Sequence, residues 1–428
     1  MLLKIRFTRI SQWGGRLDWL SKQSCGYEVL TVDTPGGSNP VEPKFLPNTR
    51  LAELAQRVVL ARLICGGDDL DIVGSTLRLP GKGVALDLQI PTNRSDAPVG
   101  MSSLVWGPNL LGACTLFDLL RLLNENTPSV IRDMDEWFRD FPADAAWNVY
   151  SDYCVGNPDK ASDSFSFVIT LNHDTDENFS EYISSVAPKD LKNTRQASEG
   201  LISYLNSPVA FSVTFMVERE SKLLRKYITD ENMIDFTSDM RGVVAQWINE
   251  PGVDITYWQR IDRALTEFSA DVGRKGFNSK LARQILLTSA FASFLFVVLN
   301  RLKAPARIRW VTDRDATFQR YNEISFDIAF MFFLLVRSND GNPADPNKPR
   351  FVFAYPFMDG STDYAEHVRL PDYLAGLCAD LKLPGIEFSH AKFETIFGGA
   401  IINSRNNLLM EVLGSAEKIT TRRIGFTA

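Results

Sequence analysis

Hydrophobic and polar positions alternate at the start of the chain. Leu3, Ile5 and Phe7 fall on one side and Lys4, Arg6 and Thr8 on the other, a period of two that predicts a half-buried strand. Between 49 and 64 the period lengthens: Leu51, Leu54, Ala55, Val58 and Ala61 recur at helical spacing, with Asn48 or Thr49 to cap the start and Gly66 to end it. That stretch predicts an amphipathic helix. Short strands are predicted over 77–79 and 84–90, and helices over 115–123 and 130–141.

A polar, turn-rich stretch, GNPDKASDS over 156–164, separates apolar segments and marks the expected domain boundary. Beyond it the pattern predicts strands over 165–171 and 209–217, then helices over 240–248, 257–268 and 280–302. A strand over 307–312, a helix over 323–336, a strand over 351–357 and a helix over 371–381 complete the succession. Strands alternating with helices predict an α/β class, a mixed sheet flanked by helices, preceded by an N-terminal α+β region. The longest apolar run, Ile285 to Leu299, is 15 residues between Arg283 and Arg301, shorter than the ~20 a bilayer span needs, and is read as a core helix. The stretch NDGNPADPNKP over 339–349 has the composition of an exposed loop.

Composition changes the picture little. With 428 residues, 45% of them hydrophobic, the chain has material for two or three domains and is neither disordered nor a disulfide miniprotein. Its five cysteines are widely spaced and form no C-x-x-C pair, which fits a reducing cytoplasm. Lys4, Arg6 and Arg9 interrupt the first apolar stretch, so no signal peptide is expected. The net charge of −6 does not advertise a polyanion partner, but it is unevenly spread. Between Arg274 and Arg320 ten basic residues face two acids, +8 against −14 for the remainder.

Most catalytic signatures are missing. The glycine pairs lack the Lys-Ser/Thr of a phosphate loop, there is no G-x-S-x-G elbow, and His173, His367 and His390 have no metal-ligand spacing. Carboxylates are the better lead. The strand over 307–312 runs into Asp313 and Asp315, the strand over 351–357 runs into Asp359, and Asp372 opens a helix whose Leu370, Leu374, Leu377 and Leu381 form one stripe. Asp372 lies off that stripe on a face with Ala375, Gly376 and Ala379, small residues that permit close approach to a sheet. Acids at strand ends and on an adjoining helix can converge on Mg²⁺ or Mn²⁺, which prefer oxygen ligands and serve phosphodiester hydrolysis. Taken singly, each acid also has an ordinary role as a turn, cap or helix-dipole residue. Arg307, Arg309 and Arg314 are the expected phosphate-backbone contacts, because alternation puts Arg307 and Arg309 on the strand face of Asp313.

The segment FMDGSTDYAEHVRLPDYLAGLCADL, Phe357 to Leu381, resembles the C-terminal signature of an RNase H-like family of unknown function, in which a strand ends in Asp-Ser and a Leu-Gln-Leu-Ala-Asp helix follows. RIRWVTDRDAT resembles that family's earlier acid-ended strand. The resemblance covers Ala306 to Leu381 and implies an RNase H-like domain over 161–428, with metal ligands and catalytic acids Asp313, Asp359 and Asp372. Gly360 stands where the family has Ser, and Pro371 where it has Ala. The family's first strand ends in Asp-Glu-Ser, which has no clear counterpart here; Asp174 is the first choice for that acid and Asp87 the second. Two functions follow as expectations. One is a Mg²⁺- or Mn²⁺-dependent nuclease with a regulatory or partner-binding region over 1–160 and nucleic acid bound through 274–320. The other is a non-catalytic RNase H-like subunit docking protein partners in a larger assembly, for example a defence complex, away from any membrane.

Overall fold

The computed structural model describes residues 2–9, 25–34, 37–40, 71–73, 76–79, 84–87, 119–120 and 123, and from 127 to 426 all but 251–252, 273, 314, 340–348, 355–364, 403 and 415–418. The expected helix over 49–64, most of that over 115–123 and nearly all of the 339–349 loop lie outside the described residues.

The alternating opening segment is β1 (Leu2–Arg9) of a six-stranded sheet completed by β2 (Cys25–Thr34), β3 (Gly37–Pro40), β4 (Asp71–Val73), β5 (Thr76–Leu79) and β6 (Val84–Asp87). Its order is β3-β2-β1-β6-β5-β4. A second sheet has seven strands: β7 (Ala146–Cys154), β8 (Ser162–Leu171), β9 (Ala210–Glu218), β10 (Arg307–Thr312), β11 (Arg350–Ala354), β12 (Asn407–Gly414) and β13 (Ile419–Ile424). The order is β11-β10-β7-β8-β9-β12-β13. Strands β7, β8 and β9 form an antiparallel meander; β10 lies parallel to β7, β11 parallel to β10 and β12 parallel to β9. This is an α/β architecture with a mixed sheet. Its helices are α1 (Pro128–Trp137), α2 (Asp176–Val186), α3 (Glu199–Leu205), α4 (Asp230–Trp247), α5 (Ile255–Val272), α6 (Ser279–Lys303), α7 (Ile324–Asn339), α8 (Arg369–Asp380) and α9 (Ala391–Ile396).

The polar stretch over 156–164 needs correction as a boundary. Trp147 through Cys154 pair with Leu171 through Ser164 in one antiparallel register, so one sheet continues across it. Gly, Asn, Pro and Asp mark a hairpin tip as readily as a linker, because both need turn conformations exposed to water. The sheet-bearing unit includes β7, and α1 leads into it, the Phe138 ring 4.6 Å from that of Trp147. Helix α4 begins ten residues before its expected start. Thr229 and Asn232 close a capping box there, each side chain satisfying the other's backbone N–H.

One face of the seven-stranded sheet is aromatic and lies under α6 and α7. Phe291 stacks on Phe215 at 4.1 Å, and Phe296 meets Trp310 at 5.5 Å and Phe351 at 5.2 Å. Every residue from Ile285 to Leu299 is buried in this layer. Among the described residues α6 is the one helix long and apolar enough to cross a membrane, yet the sheet and α7 already cover its apolar run. Each large apolar side chain buried here contributes roughly 1.5–3 kcal/mol, and the expectation of a core helix under the adjacent strands β10 and β11 is met.

The opposite face is small and polar at its centre, with Ser164, Ser166, Ser212 and Thr214 buried there. Helix α8 packs on β7 and β8 closely enough for Ser164 Oγ to donate to Ala375 O at 2.6 Å and Ser162 Oγ to Cys378 O at 3.1 Å. The leucine stripe of α8 is buried as its spacing predicts. Further along this face Arg309 is fully buried. Its guanidinium makes two 2.7 Å bonds to Asp176 and one of 2.9 Å to Asn148 Oδ1, and His367 Nε2 stands 3.3 Å from Asp176. Burial alone would raise the Asp176 carboxyl; Arg309 and His367 override it and hold it well below the usual carboxylate range. The stabilisation from this lowered carboxyl is present above the usual range and is lost as pH falls. Arg309→Gln leaves Asp176 buried without its cation and should cost about 3–5 kcal/mol in urea unfolding. Arg309→Met with Asp176→Leu should cost far less than the sum of the single changes; equal and additive costs would show that the pair is not coupled.

Candidate active site

Because β7, β10 and β11 run parallel, their C-terminal ends share one edge of the sheet. Asp152 lies two residues before the end of β7 on the face covered by α8. Asp313 follows β10, fixed by its N–H donating to Ser151 O at 3.1 Å. Asp372 sits in the first turn of α8, where Pro371 is tolerated because the first N–H groups of a helix have no partner inside it. Close packing of α8 brings Asp372 into one cleft with Asp152, near enough for each carboxyl to perturb the other. Burial, then the negative charges of Asp372 and Asp313, push the Asp152 carboxyl well above the usual range. Asp372 is raised too, chiefly by burial, although the Leu191 N–H donating to its Oδ2 at 2.8 Å opposes the shift.

Leu191 belongs to the connection between α2 and α3, which is fastened from below. Lys392 Nζ donates to Leu191 O at 2.7 Å and to Thr194 O at 3.0 Å, and Tyr373 Oη donates to Lys189 O at 2.9 Å. Gly376 allows this approach, since a Cβ there would come within 1.9 Å of Leu191 Cδ2. The small residues expected to let α8 approach the sheet thus serve two neighbours, Ala375 meeting the sheet and Gly376 the loop. Between this loop and the start of α9 opens a cleft of about 330 Å³, lined by Asp152, Asp372, Lys160, Lys192, His390 and Lys392 among others.

The other expected site residues lie elsewhere. Asp359 and Arg314 are outside the described residues. Asp174 accepts from Asn178 Nδ2 at 3.0 Å beside the start of α2, beyond the end of β8 where Leu171 pairs with Trp147. That is the far end of β7, roughly 17 Å of strand from Asp152, so Asp174 does not join Asp152 and Asp372. Asp87 ends β6 in the other sheet. Asp315 accepts from Thr317 N at 2.8 Å and Thr317 Oγ1 at 3.1 Å, capping the turn Ala316–Gln319, its ordinary structural role. Arg309 as a phosphate contact is corrected outright, because its guanidinium is buried against Asp176 and Asn148. Arg307 is half-buried at the start of β10 and shares a face with Asp313, but the length of β10, about 20 Å, separates them.

Asp152 is the residue that sequence reasoning passed over. Its signal was the alternation in AWNVYSDYC, with Asn148, Tyr150 and Asp152 on one side and Trp147, Val149 and Ser151 on the other. Among the described residues no three His, Cys, Asp or Glu side chains stand close enough to hold a metal ion. What the site does hold is an electrostatically unfavourable carboxyl pair whose oxygen donors suit a hard cation.

Both carboxyls are raised, so the folded protein favours their protonated forms. Their contribution to stability is intact below the usual carboxylate pKa and is lost as pH rises through the raised values. Asp152→Asn should therefore raise Tm at pH 7.5 in metal-free buffer, by about 1–2 °C for each kcal/mol relieved, and change it less at pH 4. An unchanged or lowered Tm at pH 7.5 would show that the pair is not under electrostatic strain. No protein-family model, curated protein or solved structure matches this chain.

Proposed function

We propose that the chain is a metal-dependent nuclease, or a related phosphodiester-processing enzyme, whose seven-stranded unit is RNase H-like. The observation that carries this reading is the meeting of Asp152 on β7 with Asp372 on α8 in one cleft, with Asp313 in electrostatic range. The resemblance over Ala306 to Leu381 calls for an acid on a first strand, and Asp152 supplies a candidate in the strand beside β10. The strand succession supports it as well: a three-stranded meander with two strands laid parallel beside its first.

In this reading Asp152 and Asp372, with Asp313 and with Asp359 of the resemblance, hold Mg²⁺ or Mn²⁺. Such an ion, when bound, activates water and stabilises the leaving oxygen. The chain's own part is orientation: the Leu191 amide fixes Asp372, and the close fit of α8 fixes its distance from β7. The region that carries the six-stranded sheet, ahead of α1, is proposed as regulatory or partner-binding. The lack of a complete ligand set among the described residues favours the second reading, a non-catalytic RNase H-like subunit that docks protein partners.

Purified full-length protein should cleave single- or double-stranded DNA or RNA with Mg²⁺ or Mn²⁺ and not with EDTA. Residues that merely orient a ligand cost 10–100-fold, so Asp152→Asn and Asp372→Asn should each lose at least about 100-fold, while the exposed Glu267→Gln keeps full activity. Equal cleavage by wild type and both variants would refute the site, and wild-type inactivity on every substrate would favour the non-catalytic subunit.

A further inference from the structure

The basic segment from Arg274 to Arg320 is an excess along the sequence that is partly balanced in space. Arg283 pairs with Asp230 at 2.6 Å, Arg274 with Asp271 at 2.7 Å, Lys280 with Asp163 at 3.5 Å and Arg309 with Asp176. Lys303 donates to the main-chain oxygens of Arg139 and Phe141. These contacts engage five of the segment's ten basic residues, with partners from elsewhere in the chain or from the segment's own flank.

The cleft over Asp152 and Asp372 has cations of its own. Lys160 is bound to Asp380 at 2.7 Å and lies 4.5 Å over the Phe393 ring, and Lys392 is buried beneath the loop it fastens. Lys192 differs from both. Its side chain is 79% exposed, and the carboxylate beside it, Asp190 at 3.8 Å, is itself half exposed. Such a surface pair contributes little, so exchanging it for a phosphate costs little. Its main chain is nevertheless fixed, because Leu191 N–H binds Asp372, Lys392 binds Leu191 O and Thr194 O, and Tyr373 binds Lys189 O. A mobile ammonium on a fastened backbone beside an acid pair is suited to hold a phosphate next to the one over the acids. Two carboxylates alone would repel that strand.

We propose that Lys192, carried on the loop over 189–194, is a substrate-binding residue that contacts the phosphate backbone of a nucleic-acid strand lying in this cleft. The proposal rests on the nuclease reading for its substrate class, and its test is binding rather than cleavage. A fluorescein-labelled single-stranded oligonucleotide, titrated with full-length protein in EDTA over a range of salt, gives Kd and its salt dependence. Lys192→Ala should weaken binding several-fold and make the slope of log Kd against log salt shallower by about 0.7, one phosphate contact, while Lys192→Arg restores both. Arg320→Ala, an exposed change in the basic segment, should alter neither. Wild-type affinity and slope in Lys192→Ala, or no binding by wild type at low salt, overturns the proposal. Binding that depends on Lys192 without cleavage by wild type would remove the nuclease reading alone; cleavage with Lys192-independent binding would remove this assignment alone.

Discussion

Helix α8 reaches the Asp152 carboxyl only because the sheet face beneath it is made of serine and threonine. Ser162 and Ser164 bond directly to carbonyls of the helix, a distance that leucine or phenylalanine at those positions would forbid. The same hydroxyls satisfy themselves on the helix backbone or, as Ser166 and Thr214 do at 2.8 Å, on each other, so the polar interior carries little desolvation cost. Close approach on one side and the Leu191 loop on the other leave Asp372 little room to turn from Asp152.

Two carboxyls held together in a half-buried cleft oppose folding, and the rest of the sheet offsets them. On the far face the layer of Phe291, Phe296, Trp310 and Phe351 buries a large apolar area. On the near face Arg309, Asp176, Asn148 and His367 tie β7, β10, α2 and the approach to α8 into one network. Strain at a small site beside an over-determined framework is the pattern expected where charge is kept for binding or chemistry rather than stability.

Much of the framework was legible because its signals are local. The apolar runs of α6 and of β9, and the stripe Leu370, Leu374, Leu377 and Leu381, state their own environment, and Asp372 was recognisable as the polar residue off that stripe. Asp152 was not, because the alternation in β7 sets Asn148, Tyr150 and Asp152 against Trp147, Val149 and Ser151, mixing aromatic with polar residues on both faces, so the side that carries the acid does not stand out from an ordinary strand. Charge was misread for a related reason. Arg309 and Asp176 are 133 residues apart and Arg283 and Asp230 are 53 apart, so an excess counted along the chain does not reveal the partners that folding supplies. Sharing a strand face with Asp313 likewise says nothing of the length of strand in between, which separates Arg307 and Arg309 from the acids.

If Asp152 and Asp372 form one oxygen-donor site, the full-length protein must take up a hard cation through both. Titration calorimetry with Mn²⁺ near neutral pH, repeated in two buffers of different ionisation enthalpy, decides this. Ligating carboxyls must be deprotonated, so the expected result is saturable Mn²⁺ binding with proton release, both lost in Asp372→Asn. Absence of Mn²⁺ binding by the wild type, or binding that Asp372→Asn leaves unchanged, would contradict a shared site.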